Sequence, residues 1–343
     1  MTTYICGGSN SVRRGGWSDF LDLPVTNLSV GAATSMMGAY RAIFCADLAP
    51  GDTVIWEYAL NDSTQSLGNA PGYRPDDLLT YCEATIRHCA ARGVRFIPLI
   101  LTPRKQERKE QTDVYRRKLI RLLRHYGLPF VNVSKTMRRK LNVAVLPDDV
   151  YHDNMHYQTN HPVVKYMARQ VRRLCEAEFA PVNPALLPFL MPVDFRLDVM
   201  RDFAAATPQT FSNQLLSVDV FPPETLPLQA ESAGDRRLVG IFLVTTSEGG
   251  WLELKITDPD GSVAARYDLD VSHFEPGFEK PMFRMFSFQN ATHPPIEILA
   301  GQGLTLSMAT GIGTPVVSRR ATAQDTRRSA CTASVAGLLT ELR

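Results

Sequence analysis

The chain reads as an α/β domain on a mainly parallel sheet, followed by an all-β, sandwich-like domain. Three observations predict this. Through the first 175 residues, short apolar runs rich in β-branched residues alternate with stretches of helical periodicity, the pattern of βαβ units. Four prolines, Pro181, Pro184, Pro188 and Pro192, then interrupt regular structure. Beyond them come strand-like runs separated by turn signals such as Asp258-Pro259-Asp260-Gly261. At 343 residues the chain exceeds one ordinary domain, and the expected division is 1–180, a Pro-rich linker or strap over 181–193, and a β domain over 194–343.

In the first domain strands are expected at Thr2–Cys6, Val25–Val30, Thr53–Tyr58, Arg95–Leu101 and Pro129–Val133, each bounded by Gly, Pro or Asp. Helical patterns lie between them at Ala32–Asp47, Pro75–Arg92, Gln111–Tyr126 and Thr159–Phe179. The second of these carries Leu78, Leu79, Cys82, Ile86 and Cys89 at helical spacing, a stripe that would cover the sheet. In the second domain the strand-like runs are Leu238–Thr246, Trp251–Thr257, Ser262–Val271, Phe283–Phe288 and Leu304–Ala309. The polar stretch Ser318–Ser329 is expected to be mobile, and Thr332–Leu342 to form a short closing helix.

Composition excludes several classes. With 44% hydrophobic and 21% charged residues, 22 Gly and 23 Pro, the chain is neither disordered, collagenous nor coiled-coil. Its longest apolar runs, Phe96–Leu101 and Leu238–Val244, fall far short of the roughly 20 residues of a membrane span. The net charge of +2 hides an asymmetry: residues 1–180 hold 24 Lys and Arg against 17 Asp and Glu, the remainder 13 against 18. That basic surplus is modest, and without zinc-finger, basic-zipper or RNP signatures it argues against a nucleic-acid partner. The six cysteines show no CxxC spacing and read as free thiols. The start Met-Thr-Thr-Tyr-Ile-Cys lacks a secretion-signal pattern, so a cytoplasmic location is expected, although a processed secreted form would look the same.

Directly after the first strand stands Gly7-Gly8-Ser9-Asn10-Ser11, at the carboxyl end of a strand, where open α/β sheets place their sites. It matches neither GxGxxG nor GxxxxGK[ST], nor the GxSxG nucleophile elbow, because Ser11 occupies the second glycine position. Ser9 is a candidate nucleophile. A serine hydroxyl needs a base, and the base needs a carboxylate to fix its tautomer. Asp153-Asn154-Met155-His156, in a polar loop before the last helix of the domain, offers both in one turn.

At these residues the sequence resembles the SGNH (GDSL-type) hydrolases, whose motifs fall in separate blocks along a flavodoxin-like, three-layer α/β domain. The Gly-Gly-Ser-Asn-Ser turn resembles the serine block, Leu28-Ser29-Val30-Gly31 the glycine block, Ala59-Leu60-Asn61-Asp62 the GxND block and Asp153–His156 the DxxH block, in the right order over residues 2–178. The resemblance implies a catalytic triad of Ser9, His156 and Asp153, with the Ser9 and Gly31 N–H groups and the Asn61 amide forming the oxyanion hole. Two positions depart from the family: Gly8 replaces the acidic residue before the serine, and Ala59 the glycine two before Asn61. A second DxxH, Asp149-Val150-Tyr151-His152, lies four residues earlier and leaves Asp149 and His152 as alternatives.

Arg13, Arg14 and Trp17 follow the serine turn closely enough to line a cleft, where arginines bind anions and a tryptophan stacks on a sugar; the alternative is a solvated turn with an anchoring Trp. Tyr58, beside the Asn61 block, is either a substrate contact or a core residue. His161 reads as structural. The basic series Arg104–Arg124 reads as a solvated helix face. His152, Asp153 and His156 lack the further ligands of a zinc site, and the chemistry needs no metal or cofactor. The expected function is therefore a serine esterase acting on an acylated small molecule or glycan, an O-acetylated carbohydrate first. Its rivals are an O-acyltransferase with the same triad and a catalytically silent binding protein.

Overall fold

Strands β1 (Thr3–Gly7), β2 (Val25–Asn27), β3 (Thr53–Glu57), β4 (Arg95–Ile100) and β5 (Val131–Asn132) form a parallel sheet in the order β2-β1-β3-β4-β5. The structure is a computed structural model that describes the chain apart from residues 67–72, 110–112, 180–181, 200–207, 214–215, 223–227, 232–233, 248, 273–278, 291–293, 310, 318–332 and 343. Its backbone contacts separate two units, Met1–Pro192 and Val193–Arg343.

The helices of the first unit are α1 (Ser9–Val12), α2 (Ser35–Ala39), α3 (Ala59–Ser66), α4 (Pro75–Ala91), α5 (Val114–His125), α6 (Val133–Leu141) and α7 (Pro162–Glu176). Every residue of β3 is buried, as expected of a central strand covered on both faces. Side-chain alternation sends Ile5, Ile55, Ile97 and Leu99 to one face, where they cluster with Val163, Val164, Met167 and Val171 of α7. On the other face the Trp56 ring meets Tyr58 at 5.1 Å and Phe96 at 5.6 Å. Helix α2 lies so close there that a Cβ on Gly38 would stand 2.4 Å from the Tyr58 ring. The expected three layers are present. The helix expected over Ala32–Asp47 starts only at Ser35 and turns π-helical over Tyr40–Cys45.

Local chemistry sets the helix starts. The Asp113 and Asn132 side chains accept the Arg116 and Lys135 N–H groups, capping α5 and α6. His161 Nδ1 accepts the Val163 N–H at 3.2 Å and Pro162 opens α7, a structural use of that histidine. Arg116 is not on a solvated face: it is buried, paired with Asp113 at 2.8 Å, and donates to Thr102 and Gln106. The proline-rich stretch is bound to the first unit. Phe189 and Leu190 N–H groups donate to the buried Glu83 carboxylate at 2.5 and 2.9 Å, and Arg87 donates to the Leu186 carbonyl at 2.9 Å. Among the described residues no helix is long and apolar enough to cross a membrane.

The second unit is all-β. Its strands are β6 (Phe195–Val199), β7 (Gln209–Ser212), β8 (Ser217–Val220), β9 (Leu228–Glu231), β10 (Arg236–Thr245), β11 (Trp251–Thr257), β12 (Val263–Asp270), β13 (Met282–Ser287), β14 (Glu297–Ile298), β15 (Gly303–Met308), β16 (Thr314–Val317) and β17 (Ser334–Leu342). One sheet runs β13-β10-β17-β6 with β14 also on β10, a second β16-β12-β11-β15-β9, and β7 and β8 form a hairpin. Leu238, Ile241 and Leu338 from the first sheet and Leu252, Leu254 and Leu306 from the second share one core, so the sheets pack face to face.

The closing helix expected over Thr332–Leu342 is overturned: β17 lies between β10 and β6 and pairs with both. Ala336, Leu338, Leu339 and Glu341 favour helices in isolation, but ladder bonds on two sides and burial outweigh that preference. The stretch Ser318–Ser329 lies outside the described residues.

Candidate active site

Three turns converge at the carboxyl ends of β1, β2 and β3, the point at which the strand order changes direction. After β1, Gly8 leads into the single turn of α1, which begins with Ser9. After β2, the pairing with β1 continues into the loop through Leu28 N–H to Ile5 O at 2.8 Å and Val30 N–H to Gly7 O at 3.1 Å, which brings Gly31 beside the serine. A Cβ on Gly31 would lie 3.9 Å from the Ser9 Cβ. The next residue, Ala32, has φ of 55°, a left-handed conformation uncommon for alanine and typical of functional turns. After β3, Asn61 sits in the first turn of α3, against the Gly8 backbone, with a buried Oδ1 that has no hydrogen-bond partner among the described residues.

The loop before α7 supplies the rest. Asp153 Oδ1 accepts the Met155 and His156 N–H groups at 2.7 and 2.8 Å, curling the loop, while Oδ2 meets His156 Nδ1 at 2.7 Å. With the proton on Nδ1 fixed by the carboxylate, Nε2 is left to accept the Ser9 Oγ–H at 2.8 Å. Burial raises the Asp153 carboxyl, but the bond from His156 and the two N–H groups outweigh it and hold the group at about 2. The second DxxH does not compete for this place: Asp149 and His152 are exposed, and the imidazole bonded to Ser9 is that of His156.

Both departures from the family motif have local reasons. A Cβ on Gly8 would lie 2.5 Å from Asn61 Oδ1, so any side chain there would push the amide away. Ala59 opens α3 with ordinary helical geometry and needs no glycine. A carboxylate nevertheless reaches the serine turn. Glu57, the last residue of β3, points its Oε2 at Ser11 Oγ (2.8 Å) and Gly8 N (3.3 Å). Burial pushes this carboxyl up to about 8 against the pull of those two bonds. Burial likewise lifts Asp62 to about 7 despite the bonds from Tyr115 Oη (2.6 Å) and Ser35 N (2.9 Å), which tie α3 to α5 and α2.

Two expected substrate contacts are core residues instead. Trp17 is 1% exposed and packs with Leu21 and the α7 residues, and Tyr58 is wholly buried between Trp56 and α2. Their aromatic area is worth more against apolar neighbours than at the rim of a cleft. Arg13 and Arg14 lie on the turn after α1, the first half-buried and the second exposed. Glu57 and Asn10 are residues that sequence reasoning passed over. Glu57 closes an apolar strand, and Asn10 stands in plain view beside Ser9 with nothing in its spacing to show what it binds.

No protein-family model matches the chain, and no curated protein sequence does. Solved structures do match. The crystal structure of a two-domain esterase active on acetylated mannans covers 100% of this chain and 91% of its own, at 13% identity and a TM-score of 0.58. The five-stranded parallel sheet with flanking helices fits the SGNH-hydrolase fold that the sequence motifs imply. That esterase is a two-domain protein, and this chain likewise divides into two units. A lipolytic G-D-S-L protein of Veillonella parvula, at 15% identity, covers 50% of this chain and 98% of its own with a TM-score of 0.40. An acylhydrolase structure from Bacteroides fragilis, at 18% identity, covers 50% and 86% with the same TM-score.

Proposed function

We propose that this protein is a serine esterase that removes O-acyl groups, acetyl first, from a carbohydrate through an acyl-enzyme on Ser9. The observation that carries the reading is the chain of two short hydrogen bonds from Ser9 Oγ through the His156 ring to Asp153, with Gly31 and the Asn61 amide beside the serine. In the first half-reaction Nε2 takes the Oγ proton as Oγ attacks the ester carbonyl carbon. The oxygen that becomes negative is met by the Ser9 and Gly31 N–H groups and the Asn61 amide, and each such donor is worth ~3 kcal/mol of barrier. The carbon–oxygen bond to the alcohol then breaks, and the leaving oxygen takes the proton from His156. Water gives a proton to Nε2 as it attacks the acyl carbon, the bond from that carbon to Oγ breaks, and His156 returns the proton to Oγ, releasing the acid and free Ser9.

Two features support a bulky alcohol and water as acceptor. The His156 and Asp153 side chains are 27% and 46% exposed, so solvent reaches the base. The chain with its β unit is similar over its whole length to an esterase active on acetylated mannans. The test is acid release from a short-chain chromogenic ester and from an acetylated polysaccharide, with Ser9→Ala alongside. Turnover by wild type alone is expected, and equal turnover by both proteins overturns the reading.

A further inference from the structure

Ser9 and His156 lie 147 positions apart on two different turns, and their bond requires those turns to stay in register. The Asn10 side chain spans the gap. Its Nδ2 donates to the Met155 carbonyl at 3.1 Å, and its Oδ1 accepts the Tyr157 N–H at 3.0 Å. The two bonds grip the backbone on either side of His156. One partner is an acceptor and the other a donor, which fixes the orientation of the amide and makes asparagine the fitting side chain: aspartate lacks the donor, leucine lacks both groups, and serine is too short. At 5% exposure, water competes poorly for either bond. Behind the serine, Glu57 holds Gly8 and Ser11 to the end of β3, so motion of the Ser9 turn toward the sheet is already restrained. The histidine loop is tied further out by Arg104 N–H to Asn154 O at 3.1 Å and Asn160 N–H to Gly15 O at 2.8 Å, and Asn10 is the side chain that bonds it immediately on both sides of His156.

We propose that Asn10 is a positioning residue that sets the distance between nucleophile and base by clamping residues 155 and 157. This rests on the esterase reading above. Asn10 touches neither substrate nor reacting atoms, so its loss should act on kcat alone, because a displacement near 1 Å in such a pair costs about a hundredfold. The experiment compares wild type, Asn10→Ala, Asn10→Asp and Ser9→Ala, each first checked for folding by its thermal transition. Asn10→Ala is expected to lower kcat ten- to a hundredfold with KM within twofold of wild type. Asn10→Asp keeps the acceptor for Tyr157 but, when ionised, sets an oxygen against the Met155 carbonyl. Its kcat relative to wild type should therefore climb as pH falls and the new carboxyl takes up a proton, whereas the Asn10→Ala ratio stays flat. A merely structural role moves the melting temperature without that pH signature. Wild-type kcat in folded Asn10→Ala, or flat ratios for both variants, overturns the clamp. If wild type and Ser9→Ala are equally inactive, the esterase reading fails and a crystal structure of Asn10→Ala judges the clamp. A Ser9–His156 bond lost there upholds it, and one kept at wild-type length overturns it.

Discussion

The Nε2 of His156 lies 2.8 Å from the Oγ of Ser9, and the Nδ1 of the same ring lies 2.7 Å from Asp153 Oδ2. Because Asp153 also takes two N–H groups of its own loop, the imidazole is fixed in plane and tautomer before any substrate arrives.

The neighbouring histidines separate function from composition. His156→Ala should lower kcat about a thousandfold or more, because the base is lost, whereas His152→Ala should stay within twofold of wild type, its side chain being exposed. Steady-state hydrolysis of a short-chain ester by the two variants reads the difference.

Asp153 links activity to stability at low pH. Its carboxyl is held below the usual carboxylate range, at about 2, so its contribution is present above that range and is lost as pH falls through about 2. Asp153→Asn should lower kcat by roughly a hundred- to ten-thousandfold through the tautomer it favours. It should also melt below wild type at neutral pH, with the gap closing as pH approaches 2. Thermal melts of both proteins from pH 7 to pH 2 check this.

At the oxyanion side, Asn61→Ala should cost about a hundred- to a thousandfold in kcat with little change in KM, since the amide acts on charge that develops only in the transition state. Gly8→Ala should cost about as much, because its Cβ would stand 2.5 Å from Asn61 Oδ1, while Gly31→Ala, with its nearest contact at 3.9 Å and its N–H intact, should be mild. The three variants compared on one ester decide whether the Asn61 amide is the shared element.

The buried acids behind the site act in the opposite sense to Asp153. Glu57 is raised to about 8 and Asp62 to about 7, both by burial, so the folded state holds their protons longer than the unfolded chain does. Their contribution is fully present below the ordinary carboxylate range and is lost progressively as pH rises through about 7 to 8. Denaturant unfolding at pH 5, 7 and 9 should show falling stability, with a shallower fall in Glu57→Gln.

Much of the fold is legible because its strongest strands are apolar runs on both faces. The runs around β1, β3 and β4 announce themselves, while β2 and β5, the edges of the sheet, pair over three and two residues and are over-read from their flanking apolar positions. The helix expected at the C-terminus fails because propensity is local and β17 is held by two partners far away in sequence. The serine turn and the DxxH loop are readable because chemistry restricts their residue types. Asn10 and Glu57 are not, since they act on backbone groups and neighbouring hydroxyls that only the folded chain brings near. Trp17 and Tyr58 mislead because closeness to a motif in sequence says nothing about which face of the sheet a side chain occupies.

The most direct test of the central claim, that Ser9 is a nucleophile activated by His156, is intact-mass analysis of the folded protein after exposure to a fluorophosphonate probe. One adduct on wild type, mapped to Ser9, is expected, with no adduct on Ser9→Ala and greatly slowed labelling of His156→Ala. A folded wild-type protein that takes up no probe, or a Ser9→Ala variant labelled as readily as wild type, would contradict that claim.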